Sequence, residues 1–257
     1  MGFQNLCSPA NPDFSRREFS YDTPHGLIAF FILADTETSD RYWADAHTVA
    51  EELGEADELP WIERRRAAAA WERGELERAL VLFEEVLSRA RERGERGDSE
   101  AEALHLLGDI LRDLGRFDEA ERALLDADAI FRELHGADVF VAANTHSLGD
   151  LALDRGNLAA ALGLYRQSID ELRDRAPGQL AVCLAGIASV LADRKLDEDA
   201  ATIWGAVCAA EKRLGFRILT AERRRYETRL ARVETTSAWI AGRNLTLEQA
   251  AASIPSS

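Results

Sequence analysis

The chain has 257 residues, 46% of them hydrophobic, enough to bury a sizeable core as one globular domain or as an elongated repeat array. A formal charge of −15 sets it against nonspecific nucleic-acid binding by the whole surface, which needs a basic footprint, and points to basic partners. Cys7, Cys183 and Cys208 are odd in number and lack metal-motif spacing, so the expected setting is reducing and cytoplasmic, with thiols serving as small apolar side chains.

Residues 1–22 carry Pro9, Asn11 and Pro12 without periodicity and read as an irregular lead. Gly26 to Ala34, GLIAFFILA, has the length of a signal-peptide core. Asp22 precedes it, Asp35 follows it and no small-residue cleavage site comes after, so a buried helix is the expectation. It falls far short of the ~20 apolar residues of a membrane span. A second helical stretch, Arg41 to Leu53, ends at Gly54 and completes a degenerate first hairpin.

From residue 60 a period emerges. Ala79, Ala120, Ala161 and Ala200 follow one another at steps of 41, 41 and 39 residues, and Gly74, Gly115, Gly156 and Lys195 keep the same offsets. The register also aligns Phe83, Leu124, Tyr165 and Trp204, then Val86, Ala127, Ser168 and Val207, as second-helix positions facing a neighbouring helix. Residues 101–134 are the clearest copy, with Leu104, Leu107, Gly108 and Leu111 on one amphipathic helix and Ala120, Leu124 and Ala127 on the next. Gly108 and Ala120 would let the two backbones approach closely. Ser99 with Glu102 reads as a capping box, Gly136 as a helix stop and Pro177 as a hairpin boundary. Beyond Gly215 the periodicity changes to a helix over about 221–233, then Trp239 and a short helix with a Thr246–Gln249 capping-box pattern, which together read as a cap.

Leu107, Gly108, Gly115, Phe117, Ala120, Leu124 and Ala127 resemble a tetratricopeptide repeat. The step near 41, longer than the ~34 of the minimal repeat, is similar to that of kinesin light chains and bacterial MalT-like regulators. Trp204-Gly205-Ala206, Glu222, Tyr226, Trp239, Gly242-Arg243, Leu245-Thr246 and Glu248 resemble the C-terminal end of actinobacterial LuxR-type and AfsR-like regulators, and with the repeats the likeness covers about residues 60–254. It implies an all-α, right-handed superhelical solenoid of about five hairpins over 23–215 with a helical cap over 216–257. It also implies a noncatalytic regulatory or sensor segment that binds protein or peptide. The stretch between Tyr226 and Trp239 is shortened, no Gly-x4-Gly-Lys-Ser/Thr occurs, and nothing after Glu248 could be a helix-turn-helix, so ATP hydrolysis and DNA binding are not implied. A free-standing adaptor or assembly scaffold is the alternative.

His105 and His146 share one repeat position, and Asp109 and Asp150 another, on a first-helix face that lines the groove in the resembled repeats. The same register extends the expected peptide-binding groove to Arg64, Trp71, Arg112, Asp113, Asp154, Ser189 and Asp193. For Trp71, burial between helices is the competing reading. The His/Asp pairs carry ligand types suited to zinc, yet a solvated polar groove is the expectation, with no cofactor. Residues 211–232 stand apart, Lys212 and seven arginines outweighing three glutamates for a net +5 and leaving −20 elsewhere. Its glutamates alternate with the arginines as on a solvated face, so nucleic acid, like metal, ranks below protein. No hydrolase elbow, zincin or dinucleotide motif points to an enzyme. The expected ligand is a basic or amine-bearing protein or peptide, no membrane contact is expected, and homo-oligomerisation stays open.

Overall fold

The computed structural model describes residues 44, 45, 47–49, 52, 59–92, 94, 97–135, 138–172 and 176–255, which fall into two compact units, one up to Glu95 and one from Arg96. The expected lead over 1–22, the apolar run Gly26 to Ala34, Cys7 and Gly136 lie outside the described residues, as does most of the degenerate first hairpin. Among the described residues every regular element is helical, and no helix is long and apolar enough to cross a membrane.

In the first unit, α1 (Leu59–Glu72) packs on α2 (Leu76–Glu92). Ala67, Ala70 and Trp71 of α1 meet a stripe on α2 of Ala79, Phe83, Val86 and Ala90, all buried at the helical spacing the sequence predicts. Buried Glu63 is paired with Arg89 of α2 and lies 3.3 Å from His47 Nε2.

The second unit holds three further hairpins: α3 (Asp98–Asp113) with α4 (Phe117–His135), α5 (Val139–Asp154) with α6 (Leu158–Leu172), and α7 (Pro177–Asp193) with α8 (Asp197–Leu214). Three shorter helices follow, α9 (Thr220–Leu230), α10 (Ser237–Gly242) and α11 (Leu247–Ala252). The first helices stack side by side, α5 touching both α3 and α7. Helix α7 is alanine-rich and buried around nearly its whole circumference, because α5, α6, α8, α9 and α11 all pack against it.

The four hairpins among the described residues turn the same way. At Gly74, Gly115, Gly156 and Lys195 φ is 79°, 75°, 77° and 65°, the left-handed region. Each residue donates its N–H three residues back, as Gly115 does to the Arg112 carbonyl at 2.9 Å, and its successor donates five back, as Arg116 does to Leu111 at 2.8 Å. This Schellman ending satisfies the last carbonyls of the first helix and aims the chain into the second. Lys195 adopts it without glycine's freedom, at a steric cost.

The aligned second-helix residues Phe83, Leu124, Tyr165 and Trp204 are all fully buried. A Cβ on Gly108 would lie 2.6 Å from Leu124 Cγ and 3.3 Å from the Ala120 carbonyl oxygen, so this glycine is where the α3 and α4 backbones close up. The cap docks the same way: a Cβ on Gly242 of α10 would lie 2.1 Å from the Thr202 carbonyl oxygen, and one on Gly205 of α8 2.2 Å from that of Trp239.

Two local expectations shift. Ser99 lies inside the first turn of α3, whose N-cap is Gly97; glycine has no side chain to cap with, and Asp98 and Glu100 place negative charge at that terminus instead. The helix expected over about 221–233 stops at Leu230, where five residues of turn lead to α10. The Thr246–Gln249 capping box forms as read, and Pro177 opens α7.

Candidate functional site

Four-residue spacing sends two carboxylates each from α3 and α5, Asp109 with Asp113 and Asp150 with Asp154, toward one side of the second unit, where Asp193 ends α7. Arg112 sits among them with its side chain fully buried. Its Nη1 donates to Asp109 Oδ1 at 2.7 Å and Asp150 Oδ2 at 3.3 Å, its Nη2 donates to Asp113 at 3.2 Å, and Asp154 lies 3.7 Å from its Nε. Four aspartates therefore share one guanidinium.

The remaining positive charge comes from α9, which lies across this face. Arg225 is paired with Asp150, donates to Asp113 at 3.1 Å and lies 3.7 Å from Asp154. Arg229 donates to Asp154 at 2.9 Å and lies 3.5 Å from Asp193. Tyr226, fully buried, donates its hydroxyl to Asp150 Oδ1 at 2.9 Å, and that oxygen also accepts from Tyr165 of α6 at 2.7 Å. The Tyr226 hydroxyl oxygen, 2.8 Å from His146 Nε2, is left to accept from the imidazole. Asp109 is closed off by Ser147, whose hydroxyl donates to Oδ2 at 3.2 Å.

Burial sets the protonation of this cluster. It disfavours the Asp150 carboxylate, but Arg225 foremost, with Arg112 and the Tyr165 hydroxyl, holds its pKa below the usual range. Burial lowers the His146 pKa, so the ring is neutral, and raises those of Tyr165 and Tyr226, which stay protonated donors. Glu222 of α9 is pushed up to about 8 by burial and then by Asp150 and Asp109. His146, Asp150 and Glu222 offer ligand atoms within 4.8 Å of one another. A metal ion there would compete with Arg112 and Arg225 for the same Asp150 carboxylate, and repulsion from two guanidiniums works against a third cation.

The expected groove residues thus part company. Asp109, Arg112, Asp113, His146, Asp150, Asp154 and Asp193 come together, in a face covered by α9 rather than a solvated groove. His105 sits at its edge, 3.1 Å from Asn144 Oδ1 and 3.7 Å from Asp109. Ser189 turns inward, its hydroxyl donating to the Ala185 carbonyl at 2.9 Å. Arg64 and Trp71 belong to the first unit, where Trp71 is 1% exposed, the burial reading. Reasoning from sequence missed Ser147, Tyr165, Glu222, Arg225, Tyr226 and Arg229 as members. The signal for the arginines was the +5 segment, set beside −20 elsewhere.

The family model described as "Tetratricopeptide repeat" matches residues 58–133 and 99–174. Among solved structures, BtubC (BKLC) from P. vanneervenii is similar at 19% identity and a TM-score of 0.55, over 80% of this chain and 76% of that one. Kinesin light chain nearly identical TPR-like repeats from Podosopora anserina align at 20% identity and a TM-score of 0.47, over 75% of this chain and 91% of that one. No curated protein matches the sequence.

Proposed function

We propose that this chain, whose residues 58–174 match the tetratricopeptide repeat, a repeat that generally serves as a protein-interaction scaffold, is a noncatalytic protein- or peptide-binding module whose ligand is basic. One observation carries this: the repeats present five aspartates on one face with Arg112 among them, and the face takes up two further guanidinium groups from another segment, Arg225 and Arg229 of α9. Such a strip recognises arginine by charge and by paired N–H donors, and discriminates against acidic segments by repulsion. The finer reading is a regulatory or sensor segment related to LuxR-type and AfsR-like regulators. It is supported by Trp204-Gly205-Ala206, Tyr226, Trp239 and Gly242-Arg243, residues that here bring the cap onto α8 and the strip. A free-standing adaptor is the alternative reading.

The test is a panel of short basic, neutral and acidic peptides titrated into the full chain between low and physiological salt. Basic peptides should bind best and weaken with salt, since screening acts over ~8 Å at physiological ionic strength. Preference for acidic peptides, or no binding of any basic peptide, would remove the reading.

A further inference from the structure

Helix α9 occupies the very face that the proposed function assigns to a partner, and its mode of attachment differs from that of every hairpin helix around it. Of its own side chains Tyr226 and Leu230 are fully buried and Arg225 nearly so, and the flanking Ile218 and Val233 join them in the core formed with α6–α8. The rest of its hold is polar: Arg225 and Arg229 on the strip, and Arg223 on Glu211 of α8. Left-handed residues bracket the segment, Gly215 at φ 72° and Thr235 at φ 67°. Outside that bracket the chain is clamped, α8 by its hairpin with α7 and α10 by the backbone contacts at Gly205 and Gly242. Residues 216–234 therefore form a strap fixed at both ends; lifting it withdraws Ile218, Tyr226, Leu230 and Val233 from the core and Glu234 from Trp204, while α10 and the hairpins keep their own backbone contacts.

We infer that α9 is a displaceable occupant of the acidic strip, and that the partner replacing it is a helix bearing the same face, an arginine and a tyrosine side by side with a second arginine one turn on. Arg225, Tyr226 and Arg229 stand at i, i+1 and i+4, which puts all three on one side of a helix. Lifting α9 takes Arg225 from Asp113, Asp150 and Asp154 and Arg229 from Asp154 and Asp193, and the negative charge this uncovers beside Arg112 is what a helix of this composition neutralises. Asp150 then faces solvent rather than a sealed apolar site, so the open strip is hydrated and not stranded. The strap competes with any ligand at the high effective concentration of a tethered segment, and only partners presenting the full face displace it.

This inference rests on the peptide-binding reading but fails separately from it. The probe is a labelled peptide of residues 218–232, with a control peptide carrying glutamate at both positions corresponding to Arg225 and Arg229. Each is titrated into the full chain and into an Arg225→Gln/Arg229→Gln variant with a weakened strap. The parent peptide should bind the variant at least about tenfold tighter than the wild type, as relief of competition requires, and the control should bind neither. Equal or weaker binding to the variant overturns the inference, as does loss of the variant's helical circular dichroism, which would make α9 part of the core. Hydrogen exchange on the unaltered chain gives an independent reading. Amides of 220–230 should exchange through local opening, well ahead of those in α5–α8, while α10 keeps its protection. Exchange of α9 only with global unfolding overturns the strap while leaving basic-peptide binding elsewhere intact.

Discussion

Replacing Gly186 by alanine would drive a methyl group into the side chain that anchors the strip. A Cβ on Gly186 of α7 would lie 2.4 Å from Tyr165 Cζ and 2.6 Å and 2.8 Å from the two Cε atoms, so the whole ring edge obstructs it. Carbon contacts settle at ~3.5–4.0 Å, so the ring must move by more than about 1 Å. It cannot retreat toward α5, because a Cβ position on Gly149 is already 2.8 Å from Cε1, and the tyrosine is fully buried. Overpacking of this kind costs about 1–3 kcal/mol. Pulling the hydroxyl off Asp150, now 2.7 Å away, forfeits a hydrogen bond to a charged acceptor worth about 1.5–3 kcal/mol when fully lost. With partial relaxation the expected loss is about 3 kcal/mol, which in a chain of this size lowers the melting temperature by roughly 6–12 °C. Urea titration and thermal melts followed by circular dichroism measure it. Gly163→Ala is the control: that position is mid-helix, exposed and open, so it should gain about 0.5–1 kcal/mol. A Gly186→Ala protein melting within 2 °C of the parent would refute the sandwiched ring.

Lys195→Gly should raise stability by about 0.5–1 kcal/mol, the left-handed penalty less glycine's unfolded-state entropy; an unchanged or lower melting temperature would contradict the hairpin turn described here. Glu222, with its pKa raised to about 8, holds a proton in the folded chain that the unfolded chain releases near the ordinary value. Its contribution is therefore full below that ordinary value and lost as pH rises toward and through about 8. Glu222→Gln should flatten that fall, leaving the variant more stable than the parent at pH 9; identical pH profiles would count against the carboxyl lying near Asp150.

The hairpins were legible because their constraints are local and periodic. A small residue where helices cross, an aromatic or leucine four positions on and a left-handed turn residue recur near 41-residue steps, and each is visible without knowing what lies across the interface. Lys195 could be placed from offset alone, although nothing in its chemistry announces a positive φ. The strip was legible as a row of aspartates, but not its occupant. Asp113 and Arg225 lie 112 residues apart, and charge complementarity between distant segments carries no period to reveal it. The glutamates of α9 drew the reading toward a solvated helix, correctly for Arg223 with Glu227 at 2.6 Å and wrongly for Arg225. Tyr165 hid behind its register-mates Phe83, Leu124 and Trp204, since burial of a ring is expected there and a hydroxyl reaching Asp150 is not.

The measurement that bears most directly on α9 answering the repeats' acidic strip is a double-mutant cycle between Asp113→Asn and Arg225→Gln, read as unfolding free energies in urea. The two groups meet at 3.1 Å with side chains 16% and 9% exposed, a pair sheltered enough to escape most solvent screening. A coupling of about 1 kcal/mol, largely retained in high salt, is predicted. Strict additivity of the two substitutions would place α9 elsewhere in solution and contradict the account.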